Sequence, residues 1–523
     1  MSAAYVDLEL KSEFGKIPPS FLPLGNQRLF KHQVDSFGKN RVYMAIPETY
    51  VVSENDLKWL KSRDVRLIKI PEGIELGASL VSVLNLAEFR STEPLHVLFG
   101  DTLITPLPRG NDIVAISEAK DSYDWAFFTD NDVNWLENSD NQIDLSAKKA
   151  VCGYFNFSNP KLLIKCITMS RWNFIEGLNE YHKASGLRAV EIDNWLDFGH
   201  VTTYYRSKTS YTTQRVFNDL IIKPDYIEKS SVRNQKIVAE ANWYEQLPSI
   251  LKRFTPQYLG SKDIDGKFSY RLEYLYQTPL NELFVFAELP NNIWLQIINC
   301  CCDFIDLCGD NRATDNEVTS SLTQLYTGKT STRLDEYCKS RNIDPDLPWR
   351  FNGELEVSLS QIILDCFAHL PQDDDKSSVL HGDFCFSNIL YDFRASRIKV
   401  IDPRGLTIDN DLTIYGDIRY DIGKLSHSVL GLYDWIIAGC YDLEINDYEI
   451  FFEIEGVTKH EELQRSFVQL IEDRYGITIF GLLSMQIHLF LSMLPLHFDN
   501  LRRQQALLAN SFRLYQLMKD LEK

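Results

Sequence analysis

The sequence has no polybasic run. Its 54 lysines and arginines face 73 aspartates and glutamates, a formal charge of −19 over 523 residues. Such a field repels nucleic-acid backbones and anionic membrane surfaces, so neither is expected as a partner. Cysteine is sparse. Ten residues without a CxxC pair exclude a disulfide framework and a zinc ribbon, and point to a reducing compartment. Cys300, Cys301, Cys302 and Cys308 lie in an apolar helical pattern. Consecutive residues point in different directions around a helix, so these read as small buried hydrophobes rather than metal ligands. The 25 glycines and 19 prolines are spread too thinly for a collagen-like or low-complexity chain. The opening MSAAYVDLEL lacks a charged region followed by an apolar run, so no signal peptide is expected and the chain reads as cytoplasmic. One long uncharged run exists, residues 477–496, but it contains Gln486 and His488 and has no companion. It reads as a buried core helix, and no membrane insertion is expected.

What is present is ordinary globular composition, 44% hydrophobic and 24% charged. The length suggests two to four domains. Up to about residue 220, short β-rich runs (41–45, 65–70, 96–99, 124–129, 152–157) alternate with helical patterns such as 57–63 and 80–89. Alternation of this kind predicts an α/β sandwich with a largely parallel sheet. A strand-rich patch at 215–290 and a mainly helical remainder follow, an α+β pattern. The expected domains are therefore 1–222 and 223–523, the second with a small lobe at about 223–290 and a large lobe at about 291–523.

The densest motif is LHGDFCFSNILYDFRASRIKVIDPRG, residues 380–405. Apolar runs at 389–391 and 398–401 flank a turn-like 392–396 and predict a hairpin. Asp383 and Asn388 stand at its entrance, five residues apart, and Asp402 at its exit. Phosphoryl transfer needs a carboxylate to orient the attacking hydroxyl and hard oxygen ligands for Mg²⁺ beside the triphosphate. Asp383 suits the first task, and Asn388 and Asp402 the second.

HGDxxxxN followed by IDP resembles the aminoglycoside phosphotransferase and choline kinase family, over residues of about 225–523. The resemblance implies a protein-kinase-like fold, ATP and Mg²⁺, and a small-molecule alcohol as acceptor. It also implies a strand lysine on the ATP phosphates, for which Lys229 fits, with Lys223 as competitor. A helix glutamate orients that lysine in the family; Glu240, in an EA pair, is favoured over Glu245. Glu273 falls where the adenine hinge is expected. Asp417 and Asp421 are further acidic positions of the family pattern or helix caps, and the sequence leaves both open. Replacing Asp383 is expected to cost activity and little stability.

The first half resembles sugar-phosphate nucleotidyltransferases of the cytidylyltransferase type. The residues that carry this are FLPLGNQRL (21–29), VLFGD ending at Asp101, GYFNF (153–157) and NWLDFGH (194–200). The resemblance implies a Rossmann-like sandwich in which Ser2–Ala4 ends the first strand and the loop from Gly15 carries the nucleotide. It further implies that Gly77 lies where the base is read and that Asp101 and Asp197 hold Mg²⁺. Tyr5 stands where the family has glycine, Ser20 where it has lysine, and His200 where it has threonine. Lys16, four residues before Ser20, is the candidate replacement lysine. Together the halves imply a bifunctional enzyme of capsule or surface-glycan assembly. One half would phosphorylate a sugar, polyol or amino alcohol, and the other would couple the phosphate to an NTP, CTP by likeness to the choline-type pair. The alternative is a kinase with a degenerate N-terminal binding module.

Overall fold

The computed structural model describes every residue except 88–92, 120–122, 124, 130–134, 139–148, 216–219, 233–234, 315–318 and 373–376. The expected strand 124–129 and helix 80–89 therefore lie partly outside the described residues. The chain forms two compact units. One is Met1–Gln214 with Phe286–Glu288, the other Arg215–Val285 with Leu289–Lys523.

The first unit is α/β. Its centre is the strand Lys149–Phe157, buried from Ala150 onward, which explains its largely apolar sequence, with the one buried amide, Asn156, donating to Gly110 O at 2.8 Å. One edge of this strand pairs with Ile113–Glu118. Along the other edge it pairs with Ala126–Phe128 and then with Leu95–Leu98. Val97, Val114, Phe155 and Phe157 pack with Leu80, Leu163 and Leu178 of the covering helices. The helices carry their own start signals. Ser53, Asn159 and Asn173 each cap one by accepting a backbone N–H, and Pro160 occupies a first turn.

The expectation of a largely parallel sheet is overturned. In this unit only Tyr43–Pro47 with Arg66–Ile70, and Ile113–Glu118 with Arg188–Glu191, run parallel among the described pairs. Every pairing of the central strand is antiparallel. Ser2–Ala4 also form no strand. Isolated hydrogen bonds tie this segment in instead: Met1 N to Leu98 O at 2.6 Å, Gly100 N to Met1 O at 2.6 Å, Ser2 N to Ala45 O at 3.1 Å and Ser20 N to Ser2 Oγ at 3.1 Å.

In the second unit an antiparallel sheet runs in the order Leu220–Ile222, Tyr226–Ser231, Lys267–Glu273, Tyr258–Ile264. The helix Gln235–Gln246 accompanies it, burying Ala239, Glu240, Trp243 and Tyr244. The predicted hairpin is present, Ile389–Asp392 against Arg397–Val400 with Asp392 opposite Arg397. Thr278–Pro279 adds a third strand to it. The long apolar run is the helix Ile479–Met493, continuous to His497 and the one described helix long and apolar enough to cross a membrane. It is a core helix. Gln486, wholly buried, donates to Gly423 O at 2.8 Å, and His427 lies 3.2 Å from its carbonyl oxygen. The cysteine-rich helix Asn291–Asp310 buries Cys301, Cys302 and Cys308, and burial raises all three thiols. A further four-stranded sheet, Leu355–Val357, Trp349–Phe351, Glu449–Ile454 and Tyr441–Asn446, stands where the sequence reads as mainly helical.

Candidate active site

The hairpin explains how distant residues meet. Ile401 N donates to Asn388 O at 2.9 Å, which places Asp402 beside Asn388. Asp402 adopts a left-handed backbone, φ +57°, a conformation aspartate tolerates better than most residues. The loop before the hairpin is pinned from below. His381 is buried and its ring Nε2 lies 3.0 Å from Ile401 O, while Asp383 N donates to its Nδ1 at 3.3 Å. These partners fix the neutral tautomer with hydrogen on Nε2, and burial holds the imidazole down at about 4. Gly382 has φ +79°, and a Cβ there would sit 2.7 Å from Arg404 Cβ, so the turn requires glycine.

Asp421 completes this foundation. Its two oxygens accept the backbone N–H groups of His381 and Gly382, at 2.7 and 2.8 Å. Burial nevertheless raises its carboxyl to about 7, with Asp383 adding to the rise. Asp417, by contrast, caps the helix Ile418–Val429 and is ion-paired with Arg419. The two readings left open by sequence thus divide, one residue being a cap and the other a support of the loop. Asp421→Asn would turn an amide N–H toward one of the two backbone donors. It is expected to cost about 1–3 kcal/mol, read as a lower unfolding midpoint in denaturant.

Asp383 is half-exposed. Asn388 Nδ2 donates to its Oδ2 at 3.0 Å, and Lys424 Nζ lies 2.8 Å from its Oδ1. Burial alone would raise this carboxyl, but Lys424 outweighs it and holds the group at about 2. The Asn388 amide nitrogen is thereby committed to Asp383, while its carbonyl oxygen accepts only a long bond from Ser387 Oγ, at 3.5 Å, and keeps lone-pair capacity for a cation. Lys229, on the strand Tyr226–Ser231, bonds both Glu240 Oε2, at 3.1 Å, and Asp402. Burial would lower this ammonium; the two carboxylates outweigh burial and raise it. Glu240 is buried and also accepts from Tyr270 OH at 2.5 Å. Lys223 and Glu245, the competitors, are exposed. Glu273 ends the strand Lys267–Glu273 and is exposed, its carboxylate accepting Gln257 N at 3.2 Å.

Lys424 escaped the sequence reading. It lies three residues after Asp421 on one helix, so both face the HGD loop, and that spacing was its only signal.

In the first unit, Asp101 and Asp197 converge. Thr102–Ile104 pairs antiparallel with Trp195–Asp197, placing Asp197 opposite Thr102. A Cβ on Gly199 would lie 3.2 Å from Asp101 Oδ2 and 3.4 Å from Asp197 Oδ1, so both carboxylates crowd one point. Burial raises the Asp101 carboxyl, against smaller lowerings from a backbone hydrogen bond, the N-terminal ammonium, Thr102 and His200. Gln33 Nε2 braces the Asp101 loop through the carbonyls of Phe99, Gly100 and Thr102, at 3.2, 3.0 and 2.8 Å. Ser20 is buried and donates to Gly100 O at 3.2 Å. Lys16 is half-exposed, 3.3 Å from Glu72 and 4.2 Å above the Tyr5 ring. Gly15 ends the first helix, Leu8–Phe14, at φ +79°. Gly77 is buried in a helix where a Cβ would lie 2.2 Å from Trp172 O, a packing reason for glycine.

No curated protein matches the sequence. Among solved structures, the chain is similar to a nucleoside-diphosphate-sugar pyrophosphorylase from Vibrio cholerae RC9, at 11% identity over 39% of this chain and 97% of that chain, TM-score 0.32. It is similar to a glucosamine kinase at 16% identity over 58% of this chain and 79% of that one, TM-score 0.38. A thermostable mutant of aminoglycoside phosphotransferase APH(4)-Ia is 12% identical over 57% of this chain and 88% of that one, TM-score 0.36. Residues 317–446 match the model of the phosphotransferase enzyme family APH. That match spans the HGD loop, the hairpin and the helix bearing Asp421 and Lys424, so this part of the second unit is similar to the phosphotransferases of that family.

Proposed function

We propose that the second unit phosphorylates a small-molecule alcohol with ATP, and that the first unit couples the resulting phosphate to a nucleoside triphosphate with release of pyrophosphate. The observation that carries the kinase reading is the meeting of Asp383, Asn388 and Asp402 on one hairpin with the Lys229–Glu240 pair. Asp383, ionised and half-exposed, accepts the proton of the attacking hydroxyl and orients it. Lys229 is aimed by Glu240 toward the nucleotide phosphates. The donor set fits Mg²⁺, because an Asn388 carbonyl and an Asp402 carboxylate are hard oxygens and the Lys229 ammonium already stands against Asp402 as a cation. When bound, the ion supplies charge neutralisation and alignment of the phosphates. Glu273 and the chain after it are the proposed adenine hinge.

The nucleotidyltransferase reading rests on Asp101 and Asp197, whose crowded carboxylates suit a divalent cation shared by nucleotide and acceptor phosphate. Lys16, Gly15 and Gly77 remain the proposed nucleotide contacts. Fusion is chemically reasonable, since the product of one site is the nucleophile of the other. The test is a mass-spectrometric screen of sugars, polyols and amino alcohols with ATP, alone and with CTP, UTP, GTP or dTTP. Phosphorylated product with ATP alone supports the kinase, and an NDP-linked product with one further NTP supports the coupling. ATP-dependent product without any NDP-linked species favours the second reading, a kinase with an N-terminal binding module.

Asp402→Ala and Asn388→Ala are expected to differ in metal response. Loss of the carboxylate should reduce turnover at least about 100-fold at any Mg²⁺ concentration. Loss of the neutral amide should raise the Mg²⁺ concentration for half-maximal rate and be partly restored by excess ion. Titrating Mg²⁺ at fixed ATP checks both, and unaltered metal dependence in both variants would make Asp402 structural.

A further inference from the structure

Lys329 lies close enough to Arg333, Arg404 and Asp383 to interact with each electrostatically. Lys329 opens the helix Lys329–Arg341, and Arg333 follows one turn later. Lys329 Nζ sits 5.5 Å from the centre of the Tyr420 ring, on the helix that carries Lys424. Arg404 packs its side chain over Gly382, one residue before Asp383. Arg333 Nη1 donates to Ser492 O at 3.1 Å, which spends one donor and neutralises no charge. Lys424 and Asp383 cancel each other. None of the remaining three has a carboxylate partner among the described residues. Burial, then repulsion from Arg404, Lys424 and Arg333, depresses the Lys329 ammonium to about 6, and Asp383 only partly opposes this. A chain carrying −19 overall thus concentrates two uncompensated arginine cations at its phosphotransferase loop, beside a lysine that is mostly neutral at pH 7 and takes up its proton when an oxyanion sits against it. Half-buried cations without counter-charge destabilise the folded chain, and clusters that persist mark functional sites.

We propose that the acceptor is an alcohol that also bears an oxyanion, a carboxylate or a phosphate ester, held by Lys329, Arg333 and Arg404 so that its hydroxyl meets Asp383. This rests on the phosphotransferase reading of the same site. Arginine forks and a lysine point charge suit either oxyanion. The cations also exclude amino alcohols, whose ammonium would be repelled, and so narrow the acceptor class.

Two measurements separate this inference from the reading beneath it. Sulfate, a non-titrating oxyanion, is titrated calorimetrically into the full chain with the nucleotide site filled by a non-hydrolysable ATP analogue and Mg²⁺. Binding to the wild type should weaken at least about tenfold in Lys329→Met and in Arg404→Gln. Binding unchanged in both variants, or none in the wild type, overturns the proposal. The second measurement follows ADP formation with sugars and polyols, each in neutral, carboxylate and phosphate-ester form. The anionic forms should show kcat/KM at least about tenfold above the neutral ones, and Lys329→Met should remove the preference by raising acceptor KM. The faster anionic form identifies the oxyanion. Preference for neutral alcohols overturns the inference and leaves the kinase reading standing. Sulfate bound at Lys329 without turnover of any alcohol supports the anion pocket and removes the kinase reading.

Folding does not obscure the outcome, since Lys329→Met relieves a cost. Below pH 6 the ammonium is charged in folded and unfolded chains alike, and the folded chain bears its full burial and repulsion. As pH rises toward its ordinary 10.5 that cost shrinks. The variant should therefore unfold at a higher midpoint than the wild type, by the widest margin at acid pH.

Discussion

Asp383→Asn is expected to lower ATP-dependent phosphorylation by about 10²–10⁴-fold, chiefly in kcat. The substitution keeps the shape and the contact with Asn388 but removes the base. Lys424 holds the wild-type carboxyl at about 2, so it is ionised at any working pH and acts first by accepting the hydroxyl's hydrogen bond and orienting it, taking its proton only as phosphoryl transfer acidifies it. A loss confined to the transition state lowers kcat and kcat/KM together, and KM for ATP serves as the control because Lys229 and Asp402 are untouched. The expectation of little stability loss is revised by the structure. Lys424 is only 12% exposed on its side chain, and the variant leaves its ammonium facing an amide. A lowered unfolding midpoint should accompany the lost activity, and Lys424→Met in the Asp383→Asn background should recover it without restoring turnover. Near-normal turnover in Asp383→Asn would remove the residue from the chemistry.

How much of this could be read beforehand depends on whether the signal was local. The hairpin was legible because two short apolar runs and the turn between them lie within about twelve residues. Asp383, Asn388 and Asp402 came with it, their spacing being fixed by the hairpin. The Lys229–Glu240 pair lies 11 residues apart, and its choice over Lys223 and Glu245 followed an EA pattern that the burial of Glu240 now explains. Strand direction in the first unit was not legible. Alternating strand and helix patterns suggest parallel crossovers, yet the central strand Lys149–Phe157 takes antiparallel neighbours on both edges. An unbroken buried run looks the same in either direction. Gly77 and Ser20 fell on nucleotide positions by motif alone, and the fold gives both a packing environment. The cations were illegible for a different reason. Lys329, Arg404 and Lys424 are nearly a hundred residues apart at the extremes, and only tertiary structure collects them around Asp383.

Asp101→Ala and Asp197→Ala are each expected to reduce pyrophosphate release by at least about 100-fold while leaving ADP formation intact. Both carboxylates approach within a few tenths of an ångström of the same distance from one point beside Gly199, 3.2 and 3.4 Å from where a Cβ would stand. Two carboxylates so placed repel each other, and burial already raises Asp101. A divalent cation between them would turn that repulsion into coordination, so each aspartate should matter to metal and nucleotide together. Removing either should leave the protein at least as stable without nucleotide, since one buried charge has gone, which separates a lost site from a lost fold. Lys16→Ala is the accompanying comparison. Its ammonium lies on Glu72 and the Tyr5 ring. A loss equal to that of the aspartates places it on the nucleotide phosphates, and an unchanged rate leaves it a surface ion pair. Supplying the phosphorylated acceptor should bypass Asp383→Asn but not Asp197→Ala. Should the wild-type protein then release no pyrophosphate from any of the four nucleotides, the first unit does not transfer nucleotides, and the paired carboxylates belong to a binding module.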